Sequence, residues 1–443
     1  MTEAATERLV RAVGLWGLTA LMLNTMIGAS IFGLPSLLAA RLGRLSPVGY
    51  LVGAAGVSVI AACLSEVASQ FTEAGGPYLY ARAAFGRFAA IQIGWLTWLS
   101  RIAASSAVAN LFISYLAEFF PVVSTRQTRV AILALLVAFL ATVNYRGVSG
   151  GSRLSNFFTS AKILLLVLFV GTGLTALLLH AAVRVTPVPV PATASNWFEA
   201  LILMTYAYGG FEAALLISGE TRNPRKDAPL ALLIAVVTAT VLYISLQYVV
   251  IHTLPDSRAT AKPVVDSARQ FLGPTGVSVV AAGTLIAAYG YLSANMLHVP
   301  RLTFAMGEQG DFPQSFASVH PRFRTPHFSV VTFALLLLLF SIGGDFRWNA
   351  TLAAMSRLFI YGSVAVALPV LRKQQPQAAR FRLPAGNVFS VVALIFTGTL
   401  IARIHLSDLI VLVITFVLGL VNWLWARTHG PSQNPNNKPI EVA

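Results

Sequence analysis

The stretch that decides the fold is residues 24–35, which read Asn24-Thr-Met-Ile-Gly28-Ala-Ser30-Ile-Phe-Gly33-Leu-Pro35. It lies within the first long apolar run of the chain, residues 14–38. Glycine tolerates unwound backbone and proline withholds a helix hydrogen-bond donor, so we predict that the helix is interrupted here. Lipid cannot satisfy the N–H and C=O groups that such an interruption frees, and these groups must therefore face protein or a water-filled cavity.

A second stretch of the same kind lies in the sixth apolar run, where residues 205–212 read Thr205-Tyr-Ala-Tyr-Gly209-Gly210-Phe-Glu212. Taken singly, each stretch is equally well explained as a packing kink, because glycine-rich contacts between membrane helices are common. Two interruptions five spans apart are instead typical of an inverted repeat with a substrate site at the midplane. We therefore predict helix breaks at Gly28, Gly33, Gly209 and Gly210.

The composition indicates that much of the chain lies in a membrane. Hydrophobic residues make up 56% of the 443 residues and charged residues 11%, against about 45–50% and about 25% in soluble domains. The apolar segments are continuous runs rather than alternating strands, which excludes a β-barrel and leaves helices. We predict transmembrane spans at residues 14–38, 46–69, 88–118, 128–146, 155–181, 197–219, 228–252, 274–305, 327–344, 350–371, 386–404 and 407–426.

The net charge of +15 comes from basic residues that are scattered between the apolar runs. That distribution argues against nucleic acid as a partner and fits the positive-inside rule, with a roughly two-to-one excess on one side of the membrane. It predicts an integral protein of the inner or plasma membrane whose termini, residues 1–13 and 427–443, are both cytoplasmic. The polar, proline-containing C-terminal tail is predicted to be disordered.

Motifs for other functional classes are missing from the sequence. There is a single cysteine, Cys63, and no HExxH motif, paired aspartates or Cys/His cluster, so we expect neither a metal nor another cofactor. The absence of a GxxxxGK[ST] loop excludes an ATP-driven pump. An integral membrane enzyme and a channel remain as alternatives to a transporter, although a repeat within one chain disfavours a channel. The oligomeric state is left open.

Several motifs together resemble amino acid permeases of the amino acid–polyamine–organocation superfamily. The resemblance runs from about Leu15 to Pro384, and this chain has Ser30 where the family usually has glycine. In chain order the motifs occupy residues 27–35, 65–66, 73–80, 144–147, 206–212, 220–224, 301–306, 310–313, 371–372 and 380–384, with Lys162 between the fourth and the fifth.

The resemblance implies an all-α polytopic membrane protein with twelve transmembrane helices. Two inverted repeats of five helices, residues 14–181 and 197–371, would be followed by two peripheral helices in residues 386–426. It also implies a permease that moves an amino acid or a related amine by alternating access. The partners expected are therefore this small-molecule substrate, the lipid bilayer and, as a candidate coupling ion, the proton.

The resemblance also implies where the substrate binds. Its α-carboxylate would be held by backbone N–H groups of Ala29, Ser30 and Ile31, beside Gly28, because the N-terminus of a half-helix offers unpaired donors to an anion. Its α-amine would lie against the carbonyl groups of Met26, Tyr206 and Gly209, beside Ala207. Tyr206 corresponds to the aromatic residue that closes over the substrate in relatives.

Lys162 lies in the middle of the fifth span, where an ammonium group costs about 2.5–3.5 kcal/mol. One explanation is that the side chain extends towards the interface near Arg153. The resemblance implies another, because a lysine here stands in some members where sodium binds in sodium-coupled relatives. We hypothesise that Lys162 replaces a sodium ion and couples symport or exchange to protons or to conformational change.

Two further cations, Arg101 and Arg357, lie in the middle of spans three and ten. They would either pair with Glu66 or Glu212 to hold helices together, or point into the substrate cavity. A guanidinium fork binds a carboxylate bidentately, so the second arrangement would suit an acidic amino acid; a polyamine is a further substrate alternative. Asn295 in span eight either faces the same cavity or packs between helices.

Overall fold

The computed structural model describes residues 14–71, 76–146, 151–179, 185–211, 224–376, 378–379 and 381–429. The segment 1–13, nearly all of the predicted C-terminal tail and Glu212 lie outside these residues. The described part of the chain is helical and contains no β-strand. Its α-helices are α1 (Leu15–Met26), α2 (Leu34–Leu42), α3 (Ser46–Ala68), α4 (Pro77–Phe85), α5 (Arg87–Leu116), α6 (Arg126–Tyr145), α7 (Gly151–Leu178), α8 (Ala194–Ala207), α9 (Pro224–Thr253), α10 (Pro263–Glu308), α11 (His327–Gly343), α12 (Phe346–Gln374), α13 (Gly386–Ile401) and α14 (Leu406–His429).

By length and composition, eight helical segments of the described residues are long and apolar enough to cross a membrane. They are residues 34–68, 87–116, 126–145, 161–178, 229–253, 263–308, 346–374 and 406–428, and α1, α11 and α13 are shorter apolar helices. The bounds agree with the predicted spans to within a few residues in most places. The prediction of an all-α polytopic membrane protein is therefore confirmed.

Two helical segments were not predicted. Helix α4 lies between the second and third spans and is flanked by Gly76 and Gly86, whose φ angles are 55° and 85°. Only glycine adopts such angles readily, so these residues fix both ends of a helix that is too short to cross the bilayer. Helix α10 begins eleven residues before the predicted span and is kinked at Gly273, where φ is 62°, directly before Pro274.

The spans differ in how deeply they are buried. In α5, 78% of the most apolar stretch is buried inside the protein, against 22% in α6 and 28% in α14. Helix α5 packs against α10, α11 and α12, and α12 packs against α3, α8 and α13. Helices α5 and α12 therefore form the centre of the bundle, while α6 and α14 turn most of their surface towards lipid.

The first span is split into two helices that have different neighbours. Helix α1 ends at Met26, a 3-10 turn covers Ala29–Phe32, and α2 begins after Gly33. Helix α1 packs mainly against α9, whereas α2 packs mainly against α8 and makes a smaller contact with α9. The interruption therefore lies where two separately supported half-helices meet, and this junction forms one wall of the site described next.

Candidate functional site

The interruptions of spans one and six are in direct contact. Helix α8 ends at Ala207, and residues 208–210 form a turn in which Gly210 has a φ of 114°. A Cβ atom added to Gly210 would lie 2.3 Å from the carbonyl oxygen of Thr25. No side chain fits between the two backbones, so glycine is required here both for its conformation and for this close approach.

A small cavity lies between the two interruptions. Its volume is about 20 Å³, which is room for about one water molecule. An amino acid can therefore enter only if the walls of the cavity move apart. The cavity is lined by Thr25, Met26, Gly28, Arg101, Tyr206, Gly209, Gly210, Tyr291 and Arg357.

Six residues that the sequence analysis assigned to substrate binding line this cavity, namely Met26, Gly28, Arg101, Tyr206, Gly209 and Arg357. Gly210 was predicted only as a helix break, and Thr25 and Tyr291 were missed. Tyr291 precedes Asn295 by four residues on α10, and residues four apart share one face of a helix. The choice of Asn295 could therefore have suggested Tyr291.

The remaining predicted binding residues are not among the lining residues: Ala29, Ser30, Ile31, Ala207 and Asn295. The first three form the 3-10 turn that follows the break in span one. The side-chain amide of Asn295 donates to the carbonyl of Tyr291 at 2.9 Å, within its own helix.

The carbonyl of Met26, one of the predicted partners of a substrate amine, already accepts two hydrogen bonds. The Tyr243 hydroxyl donates to it at 3.0 Å and the backbone N–H of Gly28 at 2.8 Å. The same hydroxyl lies 3.4 Å from the carbonyl oxygen of Ala207. Tyr243, on α9, thus connects the end of α1 with the end of α8, and a substrate amine would share or replace its hydrogen bond.

The guanidinium group of Arg357 lies at the end of α8. Its Nη1 atom donates to the carbonyls of Thr205 and Tyr206 at 3.3 and 3.4 Å, and the residue is buried. The last carbonyls of a helix lack partners within the helix and carry partial negative charge, so a cation at this position stabilises the interrupted end. Arg357 therefore contributes both to the helix end and to the cavity wall.

Glu66 pairs with Arg372 and not with a mid-span arginine, while the predicted pairing with Glu212, which lies outside the described residues, stays a prediction. Its buried carboxylate accepts from Nε and Nη2 of Arg372, each at 2.7 Å, and from the N–H of Leu383 at 2.7 Å. Arg372 lies about 22 Å further along α12 than Arg357, at 1.5 Å per residue. Glu66 is at the end of α3 and can reach only the arginine at the corresponding end of α12.

Lys162 is buried, and its Nζ atom donates to the carbonyl of Asn24 at 2.6 Å. Asn24 is two residues before the end of α1, so its carbonyl belongs to the last turn before the interruption. The ammonium group is therefore held at the end of α1 instead of extending along α7 towards the interface. It stabilises the C-terminal end of that half-helix as Arg357 does for α8.

Comparison with known proteins places this geometry in context. Residues 13–421 match the family model described as "Amino acid permease". The methylthioribose transporter of Bacillus subtilis (strain 168) is 28% identical to this chain, over 96% of each of the two chains. The branched-chain amino acid permease BcaP of the same organism is 27% identical, over 96% of this chain and 94% of its own. The serine/threonine exchanger SteT of Bacillus subtilis (strain 168) is 24% identical to this chain, over 93% of this chain and 95% of its own.

Proposed function

The chain belongs to the amino acid permease family, and from that premise we propose that it is a secondary active transporter that moves amino acids or related amines by alternating access. Membership of this family makes it an integral membrane transporter of amino acids and not an enzyme. Beyond family membership, we propose where the substrate binds and how it crosses the membrane.

The observation that carries the proposal is the contact between the two interrupted helices at Gly210 and Thr25. Interrupted helices that meet in the middle of a bundle turn peptide groups towards one shared space, and such groups recognise the amino and carboxyl ends of a substrate. The break in the first span also provides a hinge, because α1 and α2 can change their relative angle there. The small cavity beside this contact fits a conformation in which the walls have closed.

We further propose that transport is independent of sodium. The ammonium group of Lys162 binds the Asn24 carbonyl at the end of α1, and a positive charge beside a carbonyl oxygen is what a sodium ion would supply. Loading and release of a proton on this amine would couple uptake to a proton gradient. A permanently charged Lys162 would instead stabilise one conformation of the helix break and suit an exchanger.

A second candidate substrate class is supported by Arg101 and Arg357, which both line the central cavity. Guanidinium groups bind carboxylates as bidentate forks, so an acidic amino acid would place its side-chain carboxylate there. The same two cations disfavour a polyamine by charge repulsion. Methylthioribose belongs among the compounds to be tested, because one relative is a transporter of it.

The test is uptake into liposomes that contain the purified protein. Radiolabelled alanine, leucine, serine, arginine, glutamate, putrescine and methylthioribose are compared with sodium or choline as the external cation, with and without a pH gradient or internal amino acid. We expect saturable, sodium-independent uptake of at least one amino acid. Uptake that requires sodium would contradict the role of Lys162, and uptake of none of the amino acids would contradict the proposal as a whole.

The variant Gly210→Leu tests whether the helix interruptions form the site, because the leucine side chain would collide with the Thr25 carbonyl. We expect it to abolish uptake, and detergent-purified protein of normal size-exclusion profile shows whether it still folds. Gly171→Leu is the matched variant, since a Cβ atom at Gly171 meets nothing within 4 Å. Equal uptake by the two variants would mean that the helix interruptions do not form the transport site.

A further inference from the structure

A second and larger cavity opens at the end of the bundle where α2 ends and where α8, α12 and α14 begin. Its volume is about 420 Å³, many times that of the central cavity. Its walls carry charged side chains from four separate parts of the chain, including Arg41, Glu199, Arg347 and Asp408. The sequence analysis did not single out any of these four as a binding residue.

Asp408 is the feature of this cavity that points to a ligand. The residue is 2% exposed, and its Oδ1 atom has no hydrogen-bond partner within the described part of the chain. A buried carboxylate oxygen without a donor is costly, and native structures rarely retain one without a reason. Asp408 lies in the first turn of α14, where a carboxylate usually accepts from free backbone N–H groups. Its Oδ1 atom does not do so.

The lining also holds two arginines, Arg41 and Arg347, together with the carboxylates of Glu199 and Asp345. The Glu199 carboxylate is bound by Nη2 of Arg41 at 2.7 Å and lies 3.6 Å from Nη2 of Arg347. The Arg347 side chain is 53% exposed, and a guanidinium group has five N–H donors, more than one loose contact uses. A carboxylate that enters the cavity can therefore bind Arg347 without breaking the closer Arg41–Glu199 pair.

We propose that this cavity is a second amino acid site, in which Asp408 receives the ammonium group and Arg347 the carboxylate. A zwitterionic amino acid is the ligand class that presents both charges at a short separation and leaves the side chain to face Leu37, Ile202 and Trp348, which also line the cavity. This inference rests on the proposed function, because it takes the ligand to be an amino acid.

The position of the site connects it with the central cavity. Glu199 and Tyr206 are both on α8 and lie about 10 Å apart along its axis, at 1.5 Å per residue. Arg41 is on α2 and Glu199 is on α8, and these two helices also border the interruptions of spans one and six. An amino acid bound at Asp408 is therefore held beside the two elements that must move when the central cavity opens.

The experiment measures binding at equilibrium with the full-length protein in detergent, with radiolabelled L-leucine and L-alanine as probes. We expect two molecules per chain for wild type and one for Asp408→Asn. The variant Gly209→Val, which obstructs the central cavity, is expected to retain one, and the double variant none. Asp256→Asn is the matched control, since this exposed aspartate pairs with Arg258 outside the cavity.

Arg347→Ala tests the contact between Arg347 and the carboxylate of the bound amino acid. Because this side chain is exposed, its removal should not disturb folding. Loss of a charge-assisted hydrogen bond should weaken leucine binding at the second site by about tenfold or more. The affinity for 3-methylbutylamine, which is leucine without its carboxylate, should stay the same. A parallel loss for both compounds would overturn the assignment of Arg347.

The outcomes separate this inference from the proposed function. If Gly209→Val still binds one molecule and the added Asp408→Asn substitution abolishes that binding, the second site stands even where liposomes show no uptake. If wild type binds one molecule and Asp408→Asn changes neither binding nor uptake, the second site is wrong while the transporter proposal stands. A higher melting temperature for Asp408→Asn with unaltered binding would identify Asp408 as a buried structural acid and would equally overturn the site.

Discussion

Gly209 and Arg357 occupy adjoining space so closely that a Cβ atom on the glycine would lie 1.5 Å from Nη1 of the arginine. The missing side chain of Gly209 is therefore what allows the guanidinium group to reach the carbonyls of Thr205 and Tyr206 at the end of α8. The glycine that interrupts the sixth span also makes room for the cation that stabilises the interrupted end.

The first prediction follows from this pair. Gly209→Ala should displace Arg357 from the helix end, lower the melting temperature and reduce the initial rate of uptake by at least about tenfold, because the carbonyls lose a charged donor. Gly171→Ala, where the added methyl group meets nothing within 4 Å, should behave like wild type. Uptake by Gly209→Ala within twofold of wild type would show that the contact does not matter for transport.

The second prediction concerns Lys162. Lys162→Met keeps the length of the side chain but removes the donor to Asn24, so the end of α1 loses its cation. We expect uptake to fall by at least about tenfold, as for other charged hydrogen bonds, and its dependence on pH between 5 and 8 to flatten. Lys373→Met, at the exposed end of α12, is the control. A variant at Lys162 with an unaltered pH profile and exchange rate would refute the coupling role.

The third prediction concerns Glu118, which follows α5 and binds both Lys262 and Arg269 of the α10 region. Partial burial alone would raise the pKa of Glu118, but hydrogen bonds and charge attraction from the two cations outweigh it and lower the pKa below its usual value of 4.5. The stabilisation is therefore complete above about pH 4.5 and is lost as the pH falls through the lower pKa of the folded protein.

Glu118→Gln should accordingly lower the melting temperature at pH 7 and have a progressively smaller effect as the pH is reduced below 4.5. Scanning fluorimetry of both proteins across pH 3–7 provides the comparison. A difference in melting temperature that does not depend on pH would mean that the carboxylate charge is unimportant.

The fourth prediction concerns the buried pair of Glu66 and Arg372. Glu66→Leu should lower the free energy of unfolding by about 3–5 kcal/mol, because it leaves the guanidinium group without its carboxylate in a mostly buried place. The double variant Glu66→Leu/Arg372→Leu should recover part of this loss. Chemical denaturation of the four proteins of the cycle measures the coupling, and additive losses would contradict it.

The spans could be predicted from the sequence because lipid demands long, continuous apolar runs, and these appear directly in the residue order. Helix α4 was missed for a related reason. Its nine residues are too few for a span, and its boundaries depend on the positive φ angles of Gly76 and Gly86, which composition does not reveal. The early start of α10 was missed because Gly273 and Pro274 suggested that the helix begins there, whereas they only bend it.

The backbone of the site was predictable, but its side-chain partners were not. Clustered glycines in two apolar runs five spans apart predicted paired interruptions, and this indicated Gly28 and Gly209 as cavity residues. The partner of Met26 is Tyr243, more than two hundred residues away. The partner of Glu66 is Arg372, about three hundred residues away. Such pairs depend on which ends of which helices coincide in space, and the order of residues alone does not supply this.

The ion pair between Arg41 and Glu199 has a mechanical consequence. It joins the outer ends of α2 and α8, while α1 is attached to α9 through packing and through the Tyr243 hydroxyl. The two halves of the first span therefore have different main neighbours, with one direct hydrogen bond, from Gln247 of α9 to the Pro35 carbonyl at 3.1 Å, joining α2 to the helix that holds α1. Under the proposed alternating access, we therefore expect α2 and α8 to move together relative to α1 when the central cavity opens, with the Gln247–Pro35 hydrogen bond as a contact that changes.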